Sequence, residues 1–210
     1  MAKLKHGFDP GLSGSLGQVV FCKWKDTVYV RRRPTYNRDN RSPKQLAQQE
    51  KYAVAAPFLQ SIKELAKQSF FDPRSNVHPS NSARSLTVRN AIAGEYPNLY
   101  LVHEMLYLAY GNLPGPENPE VYAGEEAAHF TWQNQSLPGI AKANDAAILV
   151  AFNPETNACY YSIGGVTRSM EKGTLSIPVQ GGQELHTWLA FVNASRTDAS
   201  RSVYTGKIMM

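Results

Sequence analysis

Apolar and polar positions change period twice along this chain. In "QVVFCKWKDTVYVRRR", β-branched and aromatic residues fill two short runs, Val19 to Trp24 and Thr27 to Arg33, on either side of Lys25 and Asp26. Two such runs across a tight turn predict a β-hairpin. Alternation sends Arg31 and Arg33 to the face of Tyr29, and Arg32 to the face of Val28 and Val30, until Pro34 stops the pairing. Beyond it the period becomes helical: Val54, Phe58, Ile62 and Leu65 recur at steps of four, four and three. Ser42 as N-cap, Pro43 at the first helical position and Gln45 reaching back form the entrance. Pro57 is expected to kink that helix or split it. A second helix is predicted over "SARSLTVRNAIAG", capped by Asn81 or Ser82 and stopped by Gly94, with "FFDPRSNVHPSN" as the loop between the two.

The rest of the chain reads as short strands separated by Gly, Pro, Asn and Asp. They fall at Leu101 to Tyr110, His129 to Trp132, Ala146 to Phe152, Ala158 to Ser162, Thr174 to Pro178, His186 to Asn193 and Arg201 to Lys207. That density predicts a small β-sandwich, with Trp132, Ile148, Val150 and Phe191 in its core and "GNLPGPENPEVYAGEE" as a loop between the first two strands. The expected fold class is α+β. Residues 1–99 form a basic hairpin-and-helix region, and residues 100–210 a β-sandwich domain.

Two resemblances add to this reading. "HFTW", "AAILVAFN" and "HTWLAFVNASRTDASRSVY" make the C-terminal half similar to the fibronectin type III or immunoglobulin-like sandwich, although His186 and Trp188 stand where that fold places its corner tyrosine. The glycine-spaced arm with "QVVFCKW", "VRRRP", "KQLAQQEKY", "DAAILVAFN" and "SRSVYTG" resembles, over the whole chain, a family of uncharacterised bacterial proteins of Bacteroidetes type. That family is a domain of unknown function, so the resemblance implies no catalytic residue.

Composition narrows the chemistry. Two hundred and ten residues, 42% of them hydrophobic, suffice for a substantial core. The longest apolar run, "AAILVAF", is far too short to cross a bilayer, and no signal-peptide pattern opens the chain, so a cytoplasmic protein without membrane contact is expected. Cys22 and Cys159 are the two cysteines, too far apart for a metal motif, and are expected as buried thiols. Five histidines show no helical metal spacing, and His103 and Glu104, as neighbours on a strand, would face opposite ways. "GLSGSLG" leads into a strand, whereas a phosphate-binding glycine loop leads into a helix, so it is expected to be a flexible arm able to pair onto a neighbour's sheet edge. No catalytic residue, metal or cofactor is predicted.

Charge is unevenly distributed. Residues 1–93 hold 16 Lys and Arg against 6 Asp and Glu, and residues 94–210 hold 6 against 11. The sharpest concentration supplies the candidate anion- or partner-binding residues Arg31, Arg32, Arg33, Arg38, Arg41 and Lys44, with Tyr29 and Tyr36 as stacking faces. The same cations also suit a plain strand end and a solvated helix face. The expected function is a non-catalytic interaction or assembly protein, binding a protein partner or a second copy through sandwich loops or edge strands. The alternative is a nucleic-acid-binding accessory protein that uses the basic stretch.

Overall fold

The computed structural model describes residues 2–3, 13–24, 27–35, 41–72, 77–134, 140–178 and 182–210. They fall into two compact units, Met1–Pro43 and Lys44–Met210. The first is a four-stranded antiparallel sheet of β1 (Ala2–Lys3), β2 (Gly14–Leu16), β3 (Val19–Trp24) and β4 (Thr27–Arg32), in the order β1-β4-β3-β2. The hairpin predicted from the sequence is β3 with β4; its turn residues, Lys25 and Asp26, lie outside the described residues. The described part of the glycine-spaced arm is the edge strand of this sheet. It folds back within the chain, with Leu16 opposite Val19 and Gly17 at φ 59° in the turn, so those residues are already committed to β3.

The second unit opens with α1 (Pro43–Ser61), α2 (Lys63–Ser69) and α3 (Pro79–Asn90), followed by a hairpin of β5 (Ile92–Glu95) and β6 (Asn98–Leu101). Pro57 sits inside α1 without ending it; the interruption falls at Ile62, where the amide of Ala66 still reaches the Ile62 carbonyl. α3 starts earlier than expected. Pro79 occupies its first turn and the cap is His78, whose Nδ1 accepts the Ser80 amide at 3.3 Å, so neither Asn81 nor Ser82 is the cap. Gly94, at φ 89°, serves the β5–β6 hairpin instead of stopping the helix. The expected boundary between residues 99 and 100 falls inside β6.

Seven strands follow: β7 (Glu117–Ala123), β8 (Ala127–Gln133), β9 (Ala146–Asn153), β10 (Ala158–Thr167), β11 (Lys172–Ser176), β12 (Glu184–Val192) and β13 (Val203–Met209). They form one sheet in the order β10-β9-β12-β13 and another in the order β11-β8-β7, both antiparallel. Residues 101–110 are not the first strand; after β6 they form a short 3-10 turn, His103–Met105, and an irregular run. The first strand is instead β7, in the stretch expected to be a loop. It is an edge strand, where Pro119 needs no inter-strand partner for its missing N–H, and a register shift with Asn118 at φ 44° takes up the irregularity.

The two sheets share one core: Phe130 and Trp132 of β8 and Leu175 of β11 pack with Ala147, Leu149 and Ala151 of β9 and Leu189 and Phe191 of β12. Trp132 and Phe191 meet edge to face at 5.8 Å. Gly173 of β11 makes room for this contact, since a Cβ there would lie 3.0 Å from a Leu149 methyl and 3.4 Å from the Trp132 ring. The opposite face of β9 and β12 is also buried. Ile148, Val150, Phe152, Trp188, Ala190 and Val192 pack with Phe58, Ile62 and Leu65 of the helical layer, Phe58 and Phe152 at 5.2 Å. The four expected core residues are therefore buried but belong to two cores, Trp132 and Phe191 between the sheets, Ile148 and Val150 under the helices.

Arg168 binds the sandwich together from inside. Its side chain is 1% exposed and lies 3.4 Å from Asp145, also 1% exposed, with the guanidinium carbon 3.8 Å above the Phe191 ring. Nη2 donates to the Pro114 carbonyl at 2.9 Å, and the Arg168 carbonyl accepts Trp132 Nε1–H at 2.9 Å. Among the described residues no helix is long and apolar enough to cross a membrane. Replacing Trp132 by Ala should lower unfolding stability by about 3–5 kcal/mol, from the lost burial and the cavity left behind. Urea denaturation of both proteins measures it, and a loss under about 1 kcal/mol is incompatible with the packing described.

Candidate functional site

Of the six candidate cations, Arg31 and Arg32 end β4, Arg33 follows it, and Arg41 and Lys44 flank the start of α1; all five are exposed. Arg38 lies outside the described residues. The Arg33 amide donates to the Gln18 carbonyl at 2.7 Å, which fixes the strand end. The register separates the arginines, because cross-strand partners share a face. Arg31 opposes Val20, and Arg32 opposes Val19. One face therefore carries Leu16, Val19, Phe21, Val28 and Val30, bracketed by Lys23 and Arg32. The other carries Val20, Cys22, Trp24 and Tyr29 with Arg31. No described residue of β2, β3 or β4 is buried: Leu16 is 74% exposed and Trp24 67%. Met1–Pro43 holds nine Lys and Arg against three Asp and Glu, so the basic excess of the chain resides in this unit.

A second cluster, in the larger unit, was not foreseen. The 3-10 turn brings His103 onto His186 of β12, ring centroids 4.1 Å apart and nearly parallel. His186 Nδ1 is 2.9 Å from the Tyr204 hydroxyl, and its Nε2 is 3.6 Å from Glu184, whose carboxylate accepts Lys207 Nζ at 2.9 Å. Burial, then the neighbouring His103 and Lys207, push His186 down to about 4 against the opposing pull of Glu184. Burial also lowers His103. The Tyr204 phenol is pushed up to about 12, by burial first and then by Glu104 and Glu184. With the phenol protonated and the imidazole neutral, Tyr204 donates to Nδ1 and the Nε2–H faces Glu184. This is a tyrosine-histidine-glutamate chain without an activated nucleophile, since the phenol keeps its proton and Lys207 holds the carboxylate.

The sequence reading missed this pairing because it put His103 on a strand. The signal available was weak: His186 and Trp188 occupy alternate positions of one strand, but nothing local ties either to residue 103. Both cysteines are free and half-buried, and burial pushes the Cys159 thiol up to about 12, which leaves it protonated and inert at neutral pH. Among the described residues, no three His, Cys, Asp or Glu side chains are grouped to hold a metal ion.

The chain belongs to the DUF6266 family of unknown function, which matches residues 11–206. No curated protein matches it. Among solved structures, it is similar to the fn3 domain of the human collagen alpha-1(XX) chain, at 12% identity over 47% of this chain and 86% of that one, with a TM-score of 0.34. It is also similar to a structure described as a myokine, at 10% identity over 47% and 96%, with the same TM-score. A third is the twitchin kinase region of C. elegans, at 16% identity over 46% of this chain and 17% of that one, TM-score 0.34.

The histidine stack sets an expected pH response. Because His186 titrates lower in the folded protein than its ordinary value of 6.5, the unfolded chain binds the extra proton first as pH falls. Stability should be level above pH about 7 and decline between about 6.5 and 4, by up to about 1.4 kcal/mol per pH unit for this one proton, with His103 adding to the slope. Urea titrations from pH 4.5 to 7 measure it. His186→Gln should flatten the slope, and equal slopes for both proteins would show that the stack does not resist protonation.

Proposed function

We propose that the protein is a non-catalytic interaction or assembly protein, a fibronectin type III-like sandwich carrying the N-terminal sheet as its binding element. One observation carries this reading: Leu16, Val19, Phe21, Val28 and Val30 stand side by side on one sheet face, and none is buried. Among the described residues these side chains keep part or most of their surface in water, and a partner surface would cover it. Lys23 and Arg32 at the borders of the stripe select a protein surface whose apolar patch is edged by carboxylates. A second copy of this chain is one such partner.

A second reading rests on the opposite face, where Trp24 and Tyr29 stand with Arg31. Aromatic faces beside a guanidinium suit the bases and phosphates of a single strand. The two readings separate with three forms of the full chain: wild type, Phe21→Ser and Arg31→Gln, each first checked by circular dichroism. Quantitative affinity capture from an extract, paired with sedimentation equilibrium, should show proteins or self-association retained by wild type and lost on Phe21→Ser. The same capture set and the same mass for both proteins sinks the interaction reading. If instead a labelled oligonucleotide binds with a log–log salt slope of about 0.7 per neutralised phosphate, and Arg31→Gln weakens it while Phe21→Ser does not, the nucleic-acid reading replaces it.

A further inference from the structure

The helical layer contains a groove between its three helices. α1, α2 and α3 border this open groove of about 520 Å³, within the volume range of small-molecule sites. Ile62, Ala66 and Ala83, all buried, close its base, and the apolar surface it presents comes from half-buried Leu59, exposed Ala56 and Tyr52, 45% exposed. The space exists because alanines occupy positions 56, 66 and 83, where longer side chains would fill it. The rim has one sign of charge. Lys63 and Arg84 line it, both exposed, and no hydrogen bond or ion pair engages either side chain among the described residues. The carboxylate next to Lys63, that of Glu64, accepts Lys67 Nζ at 2.7 and 2.9 Å, so the nearest acid in the helix is already occupied. The Ser80 hydroxyl adds a polar group beside Arg84.

We propose that this groove is a binding site for a small amphiphile with one anionic head and an aliphatic or aromatic body. The body lies along Tyr52, Ala56 and Leu59, and the head meets Arg84 and Lys63 at the rim. An apolar floor alone would accept a neutral or cationic amphiphile as readily; the two cations make the head group decide. All of its lining residues belong to Lys44–Met210.

The test uses the full chain and three probes of equal tail length, decanoate, decanol and decyltrimethylammonium, all below their critical micelle concentrations. In two-dimensional amide NMR, decanoate should give saturable shifts confined to residues 52–66 and 79–87, with the other two probes binding more weakly. Arg84→Gln should weaken decanoate about tenfold and leave decanol unchanged. Ala56→Trp, at an exposed position where it fills the groove without entering the core, should abolish binding with the rest of the spectrum intact. Absence of saturable shifts, equal binding of the three probes, or decanoate binding unaffected by Ala56→Trp overturns the proposal. So does an acidic amphipathic peptide that occupies the groove where decanoate does not.

Discussion

The structure depends on burying both faces of the β9–β12 pair. On the side away from the second sheet, Ile148, Val150, Phe152, Trp188 and Val192 are each at most 1% exposed. Removing side chains of this size from water contributes about 1.5–3 kcal/mol apiece, so the five together contribute roughly 10 kcal/mol. That equals the net stability of a typical domain, about 5–15 kcal/mol. The helices are therefore an integral layer of the larger unit, and a sandwich deprived of them would expose an apolar face too large to tolerate in water.

This constraint is written in the sequence. A sheet wet on one face alternates apolar and polar residues, whereas "AAILVAFN" and "LHTWLAFV" run on without alternation. Those runs placed the two central strands correctly and carried a further message, that something covers the second face, which a plain sandwich does not supply. The hairpin, the start of α1 and six of the seven sandwich strands were legible for the same local reasons, period and punctuation. β7 was not, because Glu117, Asn118, Pro119 and Glu120 have the composition of a loop, and only the neighbouring β8 makes that stretch an edge.

The polar chemistry was less legible, since it joins residues far apart in the chain. No local pattern marks Arg168 or Asp145, yet each is nearly sealed from water: Arg168 Nε faces the Asp145 carboxylate at 3.4 Å, Nη2 donates to the Pro114 carbonyl, the Lys142 amide donates to Asp145, and the guanidinium lies over the Phe191 ring. Burial lowers the Arg168 pKa while Asp145 opposes the change, the balance that lets a charge persist in a core. The stack of His103 on His186 is of the same kind: it depends on a turn between β6 and β7 that no local pattern announces. The candidate cations, by contrast, were found by counting, and the strand register then divided Arg31 from Arg32 between two faces.

The order of the layers also determines how the chain must be made. α1 and α2 precede the strands they cover, and Phe58, Ile62 and Leu65, whose cluster also takes Ala91, Leu106, Leu108 and Ala109, meet their sheet partners only when β9 and β12 exist. At a ribosomal speed of about 5–20 residues per second, more than a hundred residues separate the emergence of α2 from that of Val192, a delay of roughly 6–24 s. Throughout it the helices lack the sheet that completes their core. Their docking onto the sheet is a late, long-range step, and the interval leaves the half-made chain open to chaperone capture.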